Sequence, residues 1–98
     1  MDTNELKQYL ADNPEESAYG LLLNAMPTAE SRFNRLQSNM ARLLEDVREH
    51  FPDAMFYTTG GKGFSLVLGD THSGKLSTGN QELQAIVATR LNVEGGDW

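Results

Sequence analysis

The chain contains no cysteine, which excludes a disulfide framework and a thiolate zinc site and fits a reducing cytoplasm. Long apolar runs are missing too. A run such as Leu21 to Leu23 falls far short of the roughly 20 residues that a bilayer-spanning helix needs. No basic segment followed by an apolar one opens the sequence, so neither an export signal nor a membrane anchor is expected, and the expected location is the cytoplasm. Basic charge is scarce: 8 Lys and Arg stand against 14 Asp and Glu, and the net charge of −6 repels nucleic-acid phosphates and anionic lipid headgroups at long range. That sign suits a protein that covers a basic surface on a partner, and it equally keeps a small protein soluble. Histidine is limited to His50 and His72. Without a close helical pair or a thiolate they make no recognisable zinc set, and neither metal nor cofactor is expected.

What is present fits one small α+β domain over residues 1–98. A chain of this size buries roughly 60 to 68% of the surface its unfolded form exposes, which leaves little stability to offset a large preformed catalytic cavity. Short helices are expected within 1–27. Asp2 or Thr3 can cap the first, with Glu5 placed for a capping box and Leu6, Tyr9 and Leu10 on the apolar face. Asn13-Pro14-Glu15-Glu16 carries the cap, the φ-fixing proline and the acidic first turn of a second helix, expected to run to about Met26. Its Leu21, Leu22, Leu23 and Met26 are more apolar residues than one face of a short helix holds, which suggests a subunit contact.

Pro27 and Thr28 then introduce the strongest pattern in the chain. Phe33, Leu36, Met40, Leu43 or Leu44, Val47 and Phe51 recur at three-four spacing, and predict one long amphipathic helix over 28–51 with an apolar stripe. At 1.5 Å per residue the rod measures roughly 35 Å, so either the first helices fold back along it or two copies pair through it. Pro52-Asp53 ends it. Met55-Phe56-Tyr57-Thr58 and Phe64-Ser65-Leu66-Val67-Leu68 read as the strands of a β-hairpin over 54–69, turning at Gly60-Gly61-Lys62-Gly63. A polar, glycine-rich loop over 70–79 follows. A C-terminal helix over 80–92, capped by Thr78 or Asn80 and packing through Leu83, Ile86, Val87 and Leu91, and a tail over 93–98 complete the expected order.

Four features raise the question of chemistry. Gly69-Asp70-Thr71-His72-Ser73-Gly74-Lys75 follows a strand and matches most of a phosphate-binding P-loop, but Leu76 stands where magnesium needs a hydroxyl, so a nucleotide-binding enzyme is the weakest reading. Asp70, His72 and Ser73 are neighbours on one loop, and a hydrolytic triad needs convergence from a scaffold. Arg32, Arg35 and Arg42 fall opposite the apolar stripe and can meet phosphates or carboxylates, although Glu45, Asp46 and Glu49 offset part of that charge. Lys62 at a glycine-rich tip and the terminal Trp98 have the exposure and aromatic character of contact residues.

From the long helix onward, the order helix, Phe51-Pro52-Asp53, strand, loop, strand, helix, Asp97-Trp98 resembles the small damage-inducible regulators of the bacterial recombinase over about half the chain. The N-terminal helices fall outside that pattern, and only Glu82 stands where the family presents an acidic face, so no activity is carried over. Membership among the many small prophage or bacterial proteins fits the same features. The residues therefore predict a non-enzymatic interaction or regulatory protein that binds another protein, as a homodimer through the stripe or through Leu21 to Met26. The alternative is nucleic-acid contact through the Gly60–Gly63 tip, Lys75 and the arginine row.

Overall fold

The computed structural model describes residues 1–58, 63–76 and 78–95, and the chain divides into two compact units, Met1–Asn39 and Met40–Trp98. It is an α+β protein whose described residues form three helices, α1 (Thr3–Asp12), α2 (Ala18–Ala25) and α3 (Ala29–Arg48), and small antiparallel sheets.

The first unit is helical. Asp2 caps α1 through its carboxylate, which accepts from the Glu5 amide at 2.9 Å, while Glu5 Oε1 accepts from the Asp2 amide at 3.4 Å; this is the reciprocal capping box expected from the sequence. The second helix starts later than expected. Asn13 turns back rather than forward, donating from both its amide and its Nδ2 to the Tyr9 carbonyl at 2.9 Å, so it closes α1. Pro14 and Glu15 form a turn, and Ser17 caps α2 by accepting from the Gly20 amide at 3.1 Å. Within this unit the Tyr19 hydroxyl donates to Glu30, linking α2 to the first turn of α3. No residue of α1, α2 or α3 is buried.

Helix α3 holds 20 residues and ends at Arg48, short of the expected Phe51. Pro52 disfavours helical geometry at Phe51, and the chain leaves the helix through tight bonds from the Glu49 amide to Asp46 O and from the His50 amide to Val47 O. Phe51 therefore lies outside the helix that carries the rest of the stripe.

The second unit is built on a three-stranded antiparallel sheet, ordered β1 (Met55–Tyr57), β2 (Ser65–Val67), β5 (Gln84–Val87). The β1–β2 pairing is the expected hairpin, in the register Met55 with Val67, Phe56 with Leu66 and Tyr57 with Ser65. Among the described residues the buried ones are Ala54, Ser65, Leu66 and Val67, so β2 is the core strand. A two-stranded ribbon, β3 (His72–Ser73) with β4 (Thr78–Gly79), occupies the segment between β2 and β5.

The expected C-terminal helix is replaced. A 3-10 turn, Gln81–Leu83, leads straight into β5. Two causes act together. Asn80 makes no capping bond; its Nδ2 donates to Asp70 O at 2.8 Å and its Oδ1 accepts from Ser73 at 3.1 Å. The open edge of β2 also takes up this segment: Leu68 donates to Leu83 O at 2.9 Å and Ala88 to Phe64 O at 2.8 Å, and the branched Ile86 and Val87 suit a strand. With that helix gone, the element order that resembled the recombinase regulators no longer holds.

Candidate functional site

The Gly69–Lys75 segment does not open a helix. Its residues enter the β3–β4 ribbon, with His72 opposite Gly79 and Ser73 opposite Thr78, and Gly74 takes a left-handed φ of 85° at the turn where a side chain would be strained. A P-loop needs free amides converging at a helix N-terminus, and this segment turns back as antiparallel ribbon instead. Asn80 clamps its base, donating its own amide to Thr71 O at 2.8 Å in addition to its two side-chain bonds.

No nucleophile-base pair forms here. Ser73 donates to Asn80 Oδ1, and His72 Nδ1 lies 3.1 Å from Thr71 Oγ1. The His72 ring meets Tyr57 edge-on, with centroids 5.7 Å apart and planes at 78°. Together with Gln81 and Gln84 they border a cleft of about 170 Å³ whose polar groups are neutral amides and hydroxyls besides the one imidazole. Among the described residues no three His, Asp or Glu side chains gather as a metal-binding group.

The stripe residues have divided environments. Phe33 and Leu36 are 68% and 63% exposed, and Leu43 is also exposed, whereas Met40, Leu44 and Val47 are half-buried. In the second unit Leu43 borders an apolar hollow of about 120 Å³ with Phe56, Phe64, Leu66, Ile86 and Leu91. Phe56 and Phe64 stack there, at 5.5 Å and 19°. Arg32, Arg35 and Arg42 are exposed. Lys62, with Gly60 and Gly61, and Trp98 lie outside the described residues.

Sequence reasoning missed two features. Arg48 donates from Nε to the carbonyl of buried Ala54 at 2.8 Å and from Nη2 to Met55 Sδ at 3.4 Å, tying the end of α3 to the entry of β1. The other is the exposed strand β5. The branched run Ile86-Val87 signalled it, but Leu83, Ile86, Val87 and Leu91 also satisfy helical spacing.

Among the described residues no helix is long and apolar enough to cross a membrane. Comparison with protein-family models, with curated proteins and with solved structures finds no match.

Proposed function

We propose that this chain is a small non-enzymatic interaction protein that acts by binding another protein, with its helical unit as the docking surface. The observation that carries the reading is the exposure of large apolar side chains on helices that bury nothing. On α2 the exposed Tyr19 and Leu22, with Met26 at the C-cap, follow one another at three-four spacing; on α3 Phe33 and Leu36 do the same. Such groups gain free energy when a partner removes them from water, at about 25 cal/mol per Å².

The net charge of −6 weighs against nucleic acid and favours a partner with a basic rim.

The test is affinity capture with the purified protein and two variants, Leu22→Asp with Phe33→Asp, and Arg35→Glu. A partner retained by the wild type and by Arg35→Glu but lost by the double apolar variant supports the reading. Capture that survives the double variant, or no capture at all, overturns it.

A further inference from the structure

The three-stranded sheet ends on β5, and among the described residues the outer edge of that strand pairs with no other strand. An open edge is a template for another chain, and proteins blunt such edges with charge, proline or bulges. Gln84-Ala85-Ile86-Val87 carries neither charge nor proline, all four residues are exposed, and Ile86 is 63% exposed. One blunting device is present. The register with β2 slips between Ile86 and Gln84, leaving Ala85 as a bulge on the inner side. Beyond the bulge the strand is regular: the Ala88 amide bonds inward to Phe64 O at 2.8 Å, so alternation aims the backbone groups of Val87 outward.

We propose that β5 pairs antiparallel with β5 of a second copy of this chain, about a two-fold axis at Ile86, joining the two sheets edge to edge. The charges flanking the strand select this occupant. Glu82 lies four residues before Ile86 and Arg90 four residues after it, and both are exposed. An antiparallel copy centred on Ile86 brings each acidic end to the other copy's basic end, whereas a parallel copy brings like charges together. In this register Val87 of each copy lies opposite Ala85 of the other and offers its outward backbone groups there, and Ile86, whose own backbone groups bond inward, meets Ile86 in the closer, non-bonded position. Ile86 also borders the hollow formed with Leu43, Phe56, Phe64, Leu66 and Leu91, so the paired isoleucines extend an apolar surface already in place. The contact is self-complementary and closes at two copies. An extended peptide from an unrelated protein would use the same backbone edge but has no reason to match Glu82 and Arg90. This inference goes beyond the proposed function, since it concerns the second unit and uses none of the apolar side chains proposed to bind a partner.

Sedimentation velocity from about 1 to 200 µM tests it. The wild type dimerises within that range. Ile86→Lys, at an exposed position, keeps the circular dichroism of the wild type and weakens dimerisation at least about a hundredfold, because two ammonium groups then face each other across the axis. Glu82→Arg and Arg90→Glu each weaken it about tenfold, and the two together restore it. A wild type monomeric throughout, a dimer indifferent to Ile86→Lys, or a double charge swap no better than its single parents overturns the proposal. So does a dimer lost in Leu22→Asp and kept in Ile86→Lys, which places the contact in the helical unit. Partner capture through Leu22 and Phe33 is unaffected by Ile86→Lys, so the two readings fail separately.

Discussion

Residues 1–39 and residues 40–98 meet water in opposite ways. The first unit holds only helices and buries no residue of them; among the described residues the buried ones, Ala54, Ser65, Leu66 and Val67, all belong to the second. Helices can afford this because their hydrogen bonds close within four residues, whereas strands find partners only through distant segments and need a shared core to hold the pairing. The difference has a cost. Helices α1 and α2 hold 10 and 8 residues, below the roughly 12 to 15 at which an isolated helix becomes even marginal in water. A cap such as Asp2 adds only about 1 kcal/mol. The second unit thus has the character of a scaffold, whereas the first rests on local helical hydrogen bonds.

The largest expected effect sets one unit against the other. Leu66 is 7% exposed at the centre of the core strand, and Leu66→Ala removes a packed side chain at a cost of about 2 to 5 kcal/mol. Leu22 on α2 is exposed, and Leu22→Ala changes stability by no more than about 0.5 kcal/mol. Urea unfolding of both variants, at a protein concentration too low for association, measures the contrast. Equal losses would show that the first unit has a core of its own and would break the comparison.

A smaller effect sharpens the boundary of the scaffold. Arg48 reaches the carbonyl of Ala54, which is 0% exposed, at 2.8 Å. Arg48→Ala leaves that carbonyl without this donor and costs about 1 to 2 kcal/mol. Arg48→Lys recovers less than half, since an ammonium cannot reproduce the guanidinium fork that serves Ala54 and Met55 together. Unfolding midpoints that match the wild type in both variants would place Arg48 among the solvated charges.

How much of this was legible beforehand follows the same division. The capping box at Asp2 and Glu5 and the β1–β2 hairpin rest on local signals, and both are found. Asn13 and the 80–92 segment were misread for a shared reason: an asparagine can close the helix behind it or cap the one ahead, and the choice depends on partners that sequence does not display. Asn13 goes to Tyr9 O and Asn80 to Asp70 O and Ser73. For β5 the deciding fact is non-local, the vacant edge of β2, and no periodicity within 80–92 contains it. The arginine row was readable as exposed but not as a site, while Arg48, on the same helix, proved to be the one that reaches the sheet's entry.

The smallest effect tests the one long-range side-chain link within the helical unit. Tyr19 donates to Glu30, and the hydrogen bond to that carboxylate, followed by burial and by repulsion from its charge, raises the Tyr19 pKa above the ordinary tyrosine value of 10.0. The folded protein therefore holds this proton more tightly than the unfolded chain. Between the unfolded and folded values the native state binds more protons, so stability falls as pH rises through that window and is fully present below it. Because the phenol is exposed, the loss is small. Tyrosinate absorbance checks the cause: the difference between wild type and Tyr19→Phe contains a phenol that titrates late, and Glu30→Gln, which keeps an acceptor but removes the charge, brings that titration earlier. A difference spectrum that titrates as an ordinary tyrosine would mean that α2 and α3 are not joined here in solution, and that the first unit is held together even more loosely than its lack of a core requires.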